Sequence, residues 1–145
     1  MSIAVDILTP ERRVLQAQAE SVVVPAADGE LGILKDHLPL VAQLQPGEIR
    51  MRTGDDTQVF AVSGGFVEVQ NNHVIVMAET AEMAHEIDVE RARQAAERAK
   101  AALRAPIGTV DMAQAQAALM RALARLRAAE QVRRHGRTPE ASSFR

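Results

Sequence analysis

The feature that most constrains this chain is a change of period at Ile87-Asp88-Val89-Glu90-Arg91-Ala92. Ahead of it, apolar and polar residues alternate over short stretches, the pattern of strands with one buried face. Behind it, alanine, leucine and arginine recur at helical spacing. Two periods in series predict an α+β fold in which the β part is complete before the α part begins. The boundaries read as a β-domain over 1–86, a helical unit over 87–134 and a tail over 135–145.

Within the first unit, Ile3, Val5 and Ile7 alternate with small or polar residues. Thr9-Pro10-Glu11 breaks that strand, and Val14-Leu15 and Val22-Val23-Val24 resume it. Pro25, Asp28-Gly29, Gly54-Asp55-Asp56, Gly64-Gly65 and Asn71-Asn72 are turn signals. They divide the stretch into about eight to ten short strands with turns every ~8–12 residues, the spacing of an all-β sandwich or barrel. No helix-length segment interrupts the series, so parallel βαβ units are not expected.

In the second unit, Asp88 is placed to cap a helix and Glu90 suits its positive end. The apolar stripe of that helix is Ala92, Ala95, Ala96, Ala99, Ala102 and Leu103, and Pro106-Ile107-Gly108 stops it. Asp111, with Gln114 three residues on, starts a second helix. Its expected stripe is Ala115, Ala118, Leu119, Ala122, Leu126 and Ala129. The short connection predicts an antiparallel αα-hairpin. Because each alanine methyl buries only about 0.8 kcal/mol, such a hairpin is strongly helical yet weakly held, as a movable arm would be. A permanently packed hairpin is the alternative.

Charge follows the same division. Residues 1–86 carry 5 basic and 13 acidic side chains, and residues 87–145 carry 12 basic and 6 acidic. The basic second half implies either an acidic partner or a solvated helix surface. The chain has no cysteine, which excludes disulfides, thiol nucleophiles and cysteine-ligated zinc. It has no tryptophan or tyrosine and 3 phenylalanines, which argues against a base-stacking nucleic-acid surface. No apolar run reaches the ~20 residues of a membrane span, and the first residues do not read as a secretory signal.

Catalytic patterns are missing too. His37, His73, His85 and His135 are scattered, with no metal-ligand spacing. Ser63-Gly64-Gly65 is not a nucleophile elbow, and there is no phosphate-gripping Gly-x-x-x-x-Gly-Lys-Ser/Thr loop. The arginines say more. Arg91 and Arg98 share a face of the first helix, and Arg121 and Arg125 share a face of the second. Folded together, such guanidiniums make a polyphosphate site, because each presents a planar fork to phosphate oxygens.

Two stretches then carry a resemblance. Gly29-Glu30-Leu31-Gly32-Ile33-Leu34 is followed by His37-Leu38-Pro39-Leu40, and Val62-Ser63-Gly64-Gly65-Phe66-Val67-Glu68-Val69 comes later in the chain. In this order and spacing they resemble the epsilon subunit of the F-type rotary ATP synthase, over about residues 1–134. The chain departs from that pattern at Lys35-Asp36, where the family more often has Pro-Gly. The resemblance implies a ten-stranded β-sandwich followed by a two-helix domain. It implies a non-catalytic subunit on the central rotor stalk, bound to the gamma subunit and the c-ring, with Glu30, Leu31, His37 and Leu40 as rotor-contact candidates. It places the protein peripherally on the cytoplasmic face of the cell membrane, as part of the synthase. The helical arm would extend along gamma, meet the alpha and beta catalytic subunits, and restrain ATP hydrolysis.

The resemblance also implies a regulatory ligand. Some family members bind ATP through Ile/Leu-Asp-x-x-Arg-Ala, which stands here as Ile87-Asp88-Val89-Glu90-Arg91-Ala92. On that basis Arg91, Arg98, Arg121 and Arg125 would contact or orient phosphates, and Glu82 and Ala92 would lie near the base. Asp88 would hold Arg91 or cap the helix. No metal is required.

Overall fold

The structure is a computed structural model that describes residues 2–108 and 110–134; the expected tail over 135–145 lies outside the described residues. Ten strands come first. They are β1 (Ile3–Leu8), β2 (Arg13–Ala19), β3 (Ser21–Ala26), β4 (Gly29–Leu34), β5 (Leu40–Leu44), β6 (Gly47–Thr53), β7 (Asp56–Val62), β8 (Gly65–Gln70), β9 (His73–Ala78) and β10 (Ala81–Met83). A 3-10 turn, Ala84–Glu86, leads to α1 (Val89–Leu103) and α2 (Met112–Arg134).

The strands run β10-β7-β6-β3-β5-β8-β9-β1-β2, with β4 on the other side of β3. β3 and β5 meet through one pair, Ala26 with Leu44, whereas β3 and β4 pair along their whole length. That corner divides the strands into β10-β7-β6-β3-β4 and β5-β8-β9-β1-β2, the two layers of a sandwich. Their inner faces form one core. Val22, Val24, Ile33, Ile49, Met51 and Phe60 face Ile3, Val5, Ile7, Val67, Val69, Val74 and Val76 across it. β1 and β9 run parallel. The chain reaches that pairing after traversing the sandwich, not through a βαβ unit.

Turn chemistry fixes the register. Asn71 and Asn72 have φ of 52° and 59°, so the β8–β9 hairpin turns through two left-handed residues, the geometry that matches strand twist. Gly65 has φ of 123°, and a Cβ there would stand 2.0 Å from the Met77 carbonyl oxygen. The backbone of β9 therefore approaches β8 at a point where only glycine fits.

The Asp88 carboxylate accepts the Arg91 N–H at 3.1 Å, capping α1. The helix ends at Leu103, before Pro106 is reached, with the Arg104 N–H bonded back to the Lys100 and Ala101 carbonyls. The Asp111 carboxylate accepts the Gln114 N–H at 3.2 Å and starts α2. Ala92, Ala96 and Ala99 are the buried residues of α1, as its stripe predicts. In α2 the buried residues are Ala115, Ala122, Ala124 and Ala128. Ala124 and Ala128 lie outside the expected stripe because α2 packs on two bodies, α1 and the β6–β7 layer. Serving both takes a wider apolar face than a single stripe.

Candidate functional site

The outer face of β7 shows why the hairpin sits where it does. Phe60 and Val62 point into the sandwich core, so Val59 and Ala61 point outward by strand alternation. Left bare, they would be exposed apolar surface. Ala84, Ile87, Ala92 and Ala128 cover them in a second small core, with Leu126 and Ala129 at its margin. Except for Ile87 and Val59, every fully buried side chain in this seam is an alanine. Helix and strand can approach closely there, but little area is sealed.

One ion pair closes the edge of the seam. Arg125 of α2 donates from Nε to Oε1 of Glu82 on β10, and its Nη2 lies 3.4 Å from Oε2. Both side chains are one-third exposed. Two residues expected at the nucleotide site are thus in direct contact. Ala92, also expected there, is fully buried in the seam. Asp88 acts as the helix cap, through the backbone of Arg91 and not its guanidinium. Arg91, Arg98 and Arg121 are exposed. Among the described residues their side chains enter no ion pair, whereas Arg93 pairs with Glu90 and Lys100 with Glu97. Of the four arginines expected to hold phosphate, only Arg125 already holds a carboxylate.

The rotor-contact candidates separate into two groups. Leu31 and Leu40 are partly buried and pack against the sandwich core. Glu30 is exposed, and Arg50 grips it at 3.2 and 2.9 Å while also bonding Glu48 at 2.7 Å. Hydrogen bonding to Arg50 holds the Glu30 carboxyl below its usual range and raises the Arg50 guanidinium. The His37 ring donates from Nδ1 to the Leu38 carbonyl oxygen at 2.7 Å. The exposed apolar side chains of this region are Leu34, Leu38 and Val41, with Phe66 and Met77 further along the layer that carries Val41. These five are not among the contact candidates the sequence singles out, but strand parity carries a signal for those on strands: if Ile33 and Leu40 point inward, Leu34 and Val41 must point out.

Among the described residues no helix is long and apolar enough to cross a membrane, and no cluster of His, Asp and Glu could hold a metal ion.

Comparison with known proteins returns a match in each unit. Residues 2–84 match the model of the ATP synthase delta/epsilon chain β-sandwich domain, and residues 85–130 that of the delta/epsilon chain long α-helix domain. The ATP synthase epsilon chain of Desulforamulus reducens is 47% identical over 125 residues, covering 86% of this chain and 95% of that protein. The epsilon chain of Moorella thermoacetica is 50% identical over 129 residues, covering 88% and 96%. A chain in the Euglena gracilis mitochondrial ATP synthase, solved by cryo-EM as OSCP/F1/c-ring in a rotational state, superimposes with a TM-score of 0.77 at 28% identity. That alignment covers 89% of this chain and 81% of the other.

Proposed function

The chain belongs to the ATP synthase delta/epsilon family, and from that premise we propose how it works: as a non-catalytic rotor subunit whose helical arm is an ATP-responsive brake. The β-sandwich joins the gamma subunit and the c-ring and turns with them, coupling proton-driven rotation to ATP synthesis. The basic arm reaches the alpha and beta subunits when it leaves the sandwich, and there it restrains hydrolysis. The protein sits peripherally on the cytoplasmic face of the membrane, through the complex.

The observation that carries the nucleotide reading is the unbalanced charge of the docked hairpin. Among the described residues Arg91, Arg98 and Arg121 are exposed and enter no ion pair, on helices held to the sandwich by small side chains and the Arg125–Glu82 pair. Like charges repel, so an anion bound among them stabilises the folded hairpin over the open one. Only that preference can shift the balance between the two forms. Calorimetric titration of the full chain with ATP tests this, repeated on Arg91→Ala and Arg121→Ala. Binding in the micromolar to millimolar range that weakens about tenfold in each variant supports the reading, the loss expected for one charge-assisted hydrogen bond. No heat at any accessible concentration refutes it.

A second reading draws on Glu82. Its pairing with Arg125 closes the seam with the chain's own carboxylate, so the arm has a latch that requires no nucleotide. Under this reading rotation or the catalytic subunits release the arm. Deleting residues 87–145 separates both readings from an arm with no regulatory role: the assembled enzyme then hydrolyses ATP faster, and an unchanged rate would remove the brake altogether.

A further inference from the structure

The loop between β4 and β5 holds a conformation that the arm mechanism does not use. Asp36 has φ of 64°, in the left-handed region that glycine occupies freely and most side chains avoid. Opposite it, in the β8–β9 turn, Asn72 has φ of 59°. The two are joined reciprocally. The Asp36 N–H donates to Asn72 Oδ1 at 2.6 Å, and Asn72 Nδ2 donates to Asp36 Oδ1 at 3.2 Å. The loop is tied on its other side as well, since the His37 N–H donates to the Leu34 carbonyl at 3.2 Å. The backbone shape that glycine adopts without help is held here by a partner 36 residues away.

Along the chain, Asp36 stands between two of the most exposed apolar side chains of the sandwich, Leu34 and Leu38. Leu38 is 79% exposed and Leu34 60%. We propose that Asp36 and Asn72 are a positioning pair that keeps the 35–39 loop rigid, so that Leu34 and Leu38 meet the c-ring as a preformed apolar edge. The proposal rests on the rotor reading above, and the ring is chosen as occupant because the solved neighbour belongs to an assembly that contains one. A loop that had to be ordered on contact would lose affinity to the conformational entropy of its residues, and a clipped loop has already lost it. Neither member of the pair needs to touch the ring.

Binding of the full chain to a gamma–c-ring subcomplex from the same synthase tests this, with amide hydrogen exchange over residues 35–39 measured in parallel. Asn72→Gly keeps the left-handed turn and removes both side-chain bonds. The expected result is faster exchange at the Asp36 amide and about tenfold weaker binding, the loss for freeing roughly one residue's backbone. The thermal midpoint of the sandwich stays within a few degrees, since exposed loop bonds carry little global stability. Combining Asp36→Asn with Asn72→Asp exchanges donor and acceptor and restores the affinity. Asn72→Asp alone sets two carboxylates face to face and does not. Asn72→Gly that loosens the loop yet binds as the wild type overturns the positioning role, as does Asn72→Gly that leaves exchange unchanged. A wild-type chain that fails to bind the subcomplex refutes the rotor reading, and the positioning role with it.

Discussion

Replacing Ala128 by leucine should detach the arm while leaving the sandwich folded. Ala128 is fully buried against Val59, Ala61, Ala84, Ile87 and Ala92, so an added isopropyl group has nowhere to go. Forcing it in costs about 1–3 kcal/mol. Against this stand the arm's own contributions. The methyls of Ala92 and Ala128 give about 0.8 kcal/mol each, and a partly exposed ion pair from Arg125 to Glu82 adds at most ~1 kcal/mol. The penalty is of the same size as these contributions together, whereas the sandwich core is a separate cluster that does not include Ala128. The chain has no cysteine, so fluorophores can be placed at will on Asp55→Cys, in the β6–β7 turn, and Gln116→Cys, on α2. Energy transfer between them should fall in Ala128→Leu, with far-ultraviolet helicity reduced by less than a third and the sandwich transition retained. Transfer equal to that of the parent, with an unchanged or raised thermal midpoint, would refute the argument by showing room in the seam.

Three further outcomes follow from the same geometry. Arg125→Ala and Glu82→Gln should each loosen the docked arm by about 1 kcal/mol, and a double-mutant cycle on the energy-transfer midpoint should return a coupling of similar size that shrinks in high salt. Gly65→Ala should be severely destabilising, by on the order of 4 kcal/mol, because its methyl would meet the Met77 carbonyl at 2.0 Å in a backbone conformation with φ of 123°; urea denaturation measures this, and a near-wild-type midpoint would be inconsistent with the close approach. Glu30 has a carboxyl lowered by Arg50 from its ordinary value of 4.5, so its stabilising contribution is present above that value and is lost as pH falls through the lower native one. Comparing acid-denaturation profiles of the wild type and Glu30→Gln should show the wild-type advantage shrinking below about pH 4.5, and an advantage that grows on acidification would reverse the sign.

Most of the fold was legible because strand parity and helix period are local. Ile3, Val5 and Ile7 are all buried as their alternation requires, and Asp88 and Asp111 cap the helices they precede. Where the stripe of α2 departs from expectation, the cause is the number of bodies the helix touches. The stripe of α2 was drawn for one neighbour, and Ala124 and Ala128 are buried because there are two. Leu31 and Leu40 read as surface candidates from their place in a motif, yet their parity sends them against the core. The candidate site was less legible. Glu82 and Arg125 are 43 residues apart, and β10, which carries Glu82, is only 3 residues long. Asp36 and Asn72 are likewise joined only by tertiary structure. No periodicity reports such pairs, since each member alone is an ordinary polar residue in a turn or on an edge.

The proposed c-ring edge and the seam of the arm differ in the side chains that build them. Where the proposed c-ring edge lies, left-handed residues are tied by side-chain bonds to their opposite turn, and the exposed side chains are leucines. Where the arm docks, the contacts are mostly alanine methyls, with Val59, Ile87 and Leu126 among them, and the partly exposed Arg125–Glu82 pair. A large side chain on a clipped loop has its ordering cost met before contact and gains area on contact, which suits a joint that stays made under torque. A methyl gains little and costs no rotamer entropy to bury or release, so an alanine seam can open and close with a small change in free energy in either direction. In the proposed brake, a ligand or partner supplying one or two kcal/mol of preference would then shift the population of the open arm by about 5- to 30-fold. A seam of leucines would be insensitive to the same signal.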